Sequence, residues 1–404
     1  MTEVKQASAA VKEKLYHLID EKTQRMIDIR RYLHQHPEVS FEEKATGAYI
    51  AKFYEGKSVA VETNYGDGYG VVVVIDSGRP GKTVALRADF DALPVQEETG
   101  LPYASQNKGA MHACGHDGHT AYMLILAEAL YEMRADFDGK IKIVHQPAEE
   151  TPPGGARGMI KAGVLDGVDA MLGVHAWAPI PYGTIECTKG AVMAGRSSIK
   201  MTIKGKGGHG SAPQLANDAN VAASFFVAAA QTIVSRRVDP FEMATLTIGN
   251  FDGKGSFNVI KDAVYLEGDV RFMKQETCDI VEKNFKQMVK GLETMFGVEV
   301  DLFYDTDYPV LNNNDALTEF VQHSLQTSNI AELQHLDMTH TESASEDFAY
   351  FAQKVPSTFM FVGEMPDDGV FYPHHSPKFV INEKALPLTA KAVGAAALDI
   401  LANK

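Results

Sequence analysis

Residues 196–203 read Arg196-Ser197-Ser198-Ile199-Lys200-Met201-Thr202-Ile203, with Ile199, Met201 and Ile203 alternating against polar neighbours. Period-two alternation marks a strand with one buried and one solvated face. The pattern recurs at Leu246 and Ile248, at Val264, Leu266, Val270 and Phe272, and at Val298, Val300 and Leu302. Two helical stretches, 216–234 and 276–296, are interleaved; the second carries Ile280, Phe285, Met288, Leu292 and Met295 along one side. The order β-α-β-β-α-β predicts an α+β unit, a four-stranded antiparallel sheet with two helices on one face.

On the N-terminal side of this stretch the texture differs. The runs Val71-Val72-Val73-Val74-Ile75, Thr83-Val84-Ala85-Leu86, Ile141-Lys142-Ile143-Val144 and Ala170-Met171-Leu172-Gly173-Val174 are short and rich in branched residues. Helical stretches at 120–134 and 156–162 alternate with them. That alternation predicts α/β layering around a mixed, largely parallel sheet buried on both faces. In the first forty residues Leu15, Leu18, Ile19, Met26, Ile27, Ile29 and Leu33 recur at spacings near three and four, predicting one amphipathic helix that Pro37 ends. After Asp305 the mixed texture returns. The small domain, 196–305, is therefore expected to interrupt a larger one made of 1–195 and 306–404.

The chain has 404 residues, 45% hydrophobic and 23% charged, the composition of a globular protein rather than a disordered or collagen-like one. Thirty-eight basic against 53 acidic residues leave a net charge of −15, with the acidic ones scattered. Phosphate binding needs clustered Lys and Arg, so neither nucleic acid nor an anionic membrane is an expected partner. A run of about 18 apolar residues, as a membrane span needs, is not expected either. The charged first forty residues do not read as a secretory signal. Three widely spaced cysteines, Cys114, Cys187 and Cys278, make no disulfide framework and fit a reducing compartment. A cytoplasmic location is the expectation.

The densest chemistry lies in Met111-His112-Ala113-Cys114-Gly115-His116-Asp117-Gly118-His119. Cys114 and His116 stand two apart in a glycine-punctuated loop before a helix expected near Thr120, where thiolate and imidazole can converge on one ion. These are ligands for zinc-, manganese- or cobalt-class ions. The plainer reading is a buried thiol beside surface histidines. A second cluster, His145-Gln146-Pro147-Ala148-Glu149-Glu150, follows a strand, and functional groups of α/β sheets gather at carboxyl ends of strands. Adjacent carboxylates can divide into a ligand and a general base; alternatively they form a solvated acidic turn. His175 also ends a strand-like run, and His374-His375-Ser376-Pro377 lies near the C-terminus. Cys114, His116, Glu150, His175 and His375 together exceed the needs of one catalytic ion and suit two. Asp89 and Asp91 follow another strand and suit a role behind a ligand histidine. In the small domain, His209 sits among glycines in Gly207-Gly208-His209-Gly210; Asn258 and Arg271 are further polar candidates for substrate.

Other chemistries fail on residues. Gly81-Lys82-Thr83 lacks the first P-loop glycine, since position 76 is Asp76. No zinc-deaminase cysteine pair follows His36-Pro37-Glu38. A nucleophilic Cys114 is possible in principle, but its His/Asp surroundings favour coordination.

Taken in order, Arg31-Tyr32-Leu33-His34 with Pro37-Glu38, residues 87–94, 111–119 and 146–150, His175, residues 205–213, Asn258-Val259-Ile260, Ser345-Glu346-Asp347-Phe348 and residues 374–377 carry a resemblance over nearly the whole chain. The sequence resembles the dimetal amidohydrolases of the aminoacylase/carboxypeptidase family, in the branch of hippurate hydrolases and auxin–amino-acid conjugate hydrolases. The resemblance implies a catalytic α/β domain interrupted by a lid and dimerisation domain. It implies two divalent metal ions (manganese, zinc or cobalt) held by Cys114, His116, Glu150, His175 and His375. Glu149 matches the general base, and Asp91 joins the catalytic set. His209 matches a histidine that, in the family's dimers, reaches the partner's site and holds the oxyanion. The implied reaction is hydrolysis of an N-acyl amino acid, with a dipeptidase, carboxypeptidase or N-acetyl amino acid deacetylase on the same scaffold as the alternative. A catalytically silent metal-binding protein is the contrasting class.

Overall fold

The computed structural model describes residues 5–403. The chain divides into two compact units. The first takes the chain up to Val192, Asn312–Thr341 and the stretch from Asp347 onward; the second takes Met193–Leu311 and Glu342–Glu346.

The first unit opens with two helices, Ala9–Asp20 (α1) and Thr23–Gln35 (α2), where the apolar spacing predicted one. Residues 1–4 of that predicted helix lie outside the described residues. Neither Gly nor Pro marks the break. Its reason is tertiary: both helices touch the C-terminal helix and the helix that follows Gly115, but α1 packs mainly on the former and α2 mainly on the latter. Next come Lys44–Phe53 (α3), Ala60–Tyr65 (β1), Gly70–Asp76 (β2), Thr83–Asp89 (β3) and His116–Glu132 (α4). Lys140–Gln146 (β4), Gly155–Lys161 (α5), Ala170–Trp177 (β5), Thr184–Glu186 (β6) and Gly190–Met193 (β7) complete this part.

The second unit contains Gly195–Lys204 (β8), Gly208–His209 (β9), Ala219–Arg237 (α6), Ala244–Asp252 (β10), Val259–Ile260 (β11), Ala263–Phe272 (β12), Gln275–Phe296 (α7) and Glu299–Tyr308 (β13). Its sheet runs β10-β12-β8-β13, antiparallel throughout. Met201 faces Leu266 on one side and Leu302 on the other, so the alternation read from the sequence becomes one apolar face. The helices α6 and α7 pack together, with Phe226 and Phe285 rings 5.1 Å apart. The helix α6 starts at Ala219 rather than 216 because the Asp218 carboxylate caps it, accepting the Asn220 and Val221 N–H groups.

The chain returns through Leu311–Asn313 (β14), Asp315–Gln326 (α8), His335–Asp337 (β15), Ala349–Ala352 (α9), Ser357–Gly363 (β16) and Ala385–Ala402 (α10). The large sheet runs β1-β2-β4-β3-β5-β16-β6-β15 among the described residues. Its centre, β4-β3-β5-β16, is parallel, and β5 and β16 are buried along their whole length. The carboxyl ends of β3, β4 and β5 therefore emerge side by side. The helix α10 has a mean hydropathy of 1.5, long and apolar enough to cross a bilayer by length and composition, an apolar run the sequence reading did not expect. It is 94% buried, packed on α1, α4 and α8, as a helix apolar all round is when it forms a core. Its charges are paired: Lys391 with Asp20 and Glu332, Asp399 with Lys12.

Candidate active site

Three parallel strand ends and one helix start build the site. After Asp89, Asp91 is fully buried and its carboxylate is shared. Oδ1 faces His116 Nδ1 at 3.2 Å; Oδ2 accepts the Glu150 N–H at 3.0 Å and the Ser40 hydroxyl at 2.7 Å. Burial opposes ionisation of Asp91, but His116 outweighs it and holds the carboxyl below its ordinary range. Asp89 stands behind two histidines, with Oδ2 3.7 Å from His116 Nε2. Its Oδ1 contacts His119 Nδ1 at 2.6 Å, and His119 Nε2 accepts the Ala176 N–H at 2.8 Å, which ties α4 to the end of β5 beside His175.

The helix α4 begins at His116, earlier than the sequence suggested, so His116 belongs to its first turn. Gly115 stands at the N-cap with φ 89°, a left-handed conformation, and a Cβ there would lie 3.1 Å from that of Ala176. This reversal turns Cys114 and His116 toward the same space. His116 uses Nδ1 on Asp91, which leaves Nε2 free to face Glu150 Oε1 at 3.8 Å. Burial alone would lower the His116 pKa, but Asp89, Asp91 and Glu150 push it up to about 10.

His175 donates from Nδ1 to the Ala176 carbonyl at 2.6 Å and presents Nε2 to Cys114 Sγ at 3.5 Å. Burial holds it well below its ordinary pKa, so its ring is neutral with a lone pair available. His375, half exposed and in the left-handed region at φ 67°, approaches Glu150 Oε2 at 3.3 Å. The ligand atoms fall into two triplets that share one sulfur: Cys114, His116 and His175, and Cys114, Glu150 and His375. Within each, the atoms lie within 4.8 Å of one another. Glu149 forms a further group with His116 and Glu150, and its Oε1 accepts the Asp347 N–H at 3.4 Å.

The donor set fits a cation. His116 Nε2 and Glu150 Oε1 are buried without a hydrogen-bond partner, although buried polar atoms are otherwise nearly always satisfied. Burial, then Glu150 and Glu149, push the Cys114 thiol well above its ordinary pKa. A thiolate in that acidic surrounding needs positive charge beside it.

Sequence reasoning also missed members of the site. His374, set aside in favour of its neighbour, stacks on Trp177 at 4.4 Å with Nδ1 3.6 Å from Cys114 Sγ. Glu43, unremarked in an acidic run, accepts the Ala148 N–H at 2.8 Å. Arg87, wholly buried, binds Asp89 at 2.6 Å, Gln146 at 2.9 Å and Asp347 at 3.1 Å. Within the second unit, His209 is exposed on β9, pairs in register with Val259 and contacts Ser211 Oγ at 2.7 Å. Asn258 accepts the Gly210 N–H through its carbonyl at 2.8 Å, so it neighbours His209. Arg271, on β12, is held by Asp269 at 2.6 Å and Ser345 at 2.7 Å.

Comparison with known proteins agrees with this architecture. The family description "Peptidase family M20/M25/M40" matches residues 85–399. An N-acetyl-L-cysteine deacetylase of Bacillus subtilis is 39% identical over 361 residues, covering 89% of this chain and 84% of the relative. A hippurate hydrolase of Campylobacter jejuni is 36% identical over 379 residues, covering 92% and 96%. The crystal structure of Bacillus subtilis YXEP, described as a dinuclear metal binding peptidase of the same family, superposes with a TM-score of 0.81 at 30% identity, covering 95% of this chain and 100% of that one. Fold and site together define a hydrolytic enzyme acting on amides. The chain belongs to peptidase family M20/M25/M40.

Proposed function

We propose that the protein hydrolyses the amide bond of N-acyl amino acids at a centre holding two divalent cations. The observation that carries this reading is the pair of triplets sharing Cys114, with the Glu149 carboxylate beside them. The relatives named for deacetylation and hippurate hydrolysis support the substrate class. Cys114, His116, Glu150, His175 and His375 hold the ions. Bound there, divalent cations supply a water of lowered pKa and polarise the scissile carbonyl. Glu149 takes a proton from the attacking water and returns it to the leaving amine. Asp91 fixes the His116 tautomer and the Glu150 backbone together. His209 is assigned to the developing oxyanion within a homodimer, with Asn258 and Arg271 serving substrate polar groups. Such an oxyanion donor is typically worth about 2.7–4 kcal/mol.

Apolar side chains left exposed on the second unit, among them Phe241, Phe257, Val221 and Phe225, support the homodimer. Three unpaired cysteines support a reducing cytoplasm. The test is a panel of N-acetyl, N-benzoyl and dipeptide substrates, assayed after chelation and resupply of manganese, zinc or cobalt. Cation-restored cleavage of N-acyl amino acids is the expected result. Cleavage of dipeptides alone would move the protein to the peptidases, and no cleavage with any ion would overturn the reading.

A further inference from the structure

Ala148, the residue before the two glutamates, is fully buried and adopts a left-handed backbone with φ 54°. That conformation is unfavourable for an L-residue, so it persists only where the surroundings impose it. Two contacts hold it. The Gly155 N–H donates to the Ala148 carbonyl at 3.0 Å, and the Ala148 N–H donates to Glu43 Oε1 at 2.8 Å.

Glu43 has no solvent exposure. It stands at the N-cap of α3, yet makes no side-chain cap there. The capping is done by Glu38, whose carboxylate accepts the Ala45 and Thr46 N–H groups at 3.1 and 2.7 Å. A second carboxylate at this position is therefore redundant for the helix. Its burial, with Asp91 nearby, pushes the Glu43 carboxyl up to about 7, an unfavourable placement that helix formation does not explain. Besides the backbone amides of its own turn at Phe41 and Glu43, its carboxylate reaches the backbone where β4 has just ended and the next two residues send carboxylates to His116.

We propose that Glu43 is a positioning residue for hydrolysis: by accepting the Ala148 N–H it locks the left-handed turn that aims the Glu149 carboxylate. This rests on Glu149 being the general base. A reacting group misplaced by about 1 Å loses roughly 10²-fold in rate. Without the acceptor, the Ala148 N–H is buried and unpaired, and the turn relaxes toward right-handed backbone.

The experiment compares Glu43→Ala with Glu43→Gln, whose amide oxygen accepts the same N–H. Glu43→Ala is expected to lose about 10- to 100-fold in kcat, with KM and metal content unchanged. Glu43→Gln keeps kcat within about threefold. Adding Ala148→Gly to Glu43→Ala recovers part of the loss, because glycine enters the left-handed region freely. In the metal-free protein, hydrogen exchange of the backbone amides at 148–150 rises about tenfold or more in Glu43→Ala and not in Glu43→Gln. Where Glu43→Ala is too unstable to purify, Glu43→Met fills the same volume without an acceptor and gives the same comparison. Near-normal kcat in the folded, metal-loaded alanine or methionine variant, equal losses for Gln and Ala, or unchanged exchange would each overturn the proposal. A wild-type protein that cleaves no amide sinks the assignment of Glu149 instead, and the exchange measurement still decides whether Glu43 locks the turn.

Discussion

Asp91 and Glu150 are joined through backbone: the Asp91 carboxylate accepts the Glu150 N–H at 3.0 Å while its other oxygen faces His116 Nδ1 at 3.2 Å. One buried carboxylate thereby fixes a glutamate and a histidine of the same cluster relative to each other. Removing it frees both. Asp91→Ala is expected to weaken divalent-cation affinity about 10- to 100-fold, the usual cost of losing such a supporting group. Competition with a chelating dye measures this, and unchanged affinity would show that the two ligands are held by other means.

Glu149 is the carboxylate beside the cluster that both triplets leave unused. Glu149→Gln keeps its shape and removes the basic oxygen. Turnover is expected to fall about 10²- to 10⁴-fold, with cation content and melting temperature close to wild type. Activity near wild type, measured on the best acyl substrate, would remove Glu149 from the proton transfer.

A pH dependence follows from Glu43, whose carboxyl is raised to about 7 by burial and by Asp91. A raised folded-state pKa means the folded protein holds the proton more tightly than the unfolded chain does. The stability this contributes is present at pH below about 4.5 and is lost as pH rises through about 7. Glu43→Gln never ionises. Its stability relative to wild type is expected to climb between pH 5 and 8, by up to about 3 kcal/mol. Urea melts of the metal-free proteins across that range test the sign; a pH-independent difference contradicts it.

The buried pair Lys12–Asp399, 2.6 Å apart, joins α1 to α10, and Asp399 also accepts from Ser324 Oγ at 2.6 Å and the Ala7 N–H at 2.8 Å. Asp399→Ala strands a buried ammonium and is expected to cost about 3–5 kcal/mol. The double variant Lys12→Met/Asp399→Leu should recover much of that loss in denaturant melts. A single variant as stable as wild type would mean that water reaches Lys12.

Sequence periodicity disclosed what depends on one element at a time. The alternation through Ile199, Met201 and Ile203 named the small sheet, because a strand with one wet face records its orientation in its own residues. The short runs at 71–75, 83–86 and 170–174 announced strands of the large sheet for a different reason: strands covered on both faces are apolar almost throughout. The break between α1 and α2 was not legible, since Ile19 and Met26 keep helical spacing across it and the turn serves packing against α4 and α10, which local spacing does not record. The site divides likewise. Cys114 with His116, and Glu149 with Glu150, stand out because neighbours in sequence share a loop. Apart from the Arg87–Asp89 pair, Arg87, His119 and Glu43 act through residues dozens of positions away, and no local pattern distinguishes them from ordinary buried charges or helix-start residues.

Every side chain in the two triplets comes from the first unit, whereas His209, Asn258 and Arg271 lie on the segment that leaves after Val192 and returns at Asn312. Inorganic chemistry and the remaining candidate contacts are thus written in separate stretches of the gene product. Substitutions confined to the inserted segment therefore change the candidate polar contacts without replacing any residue of the two triplets.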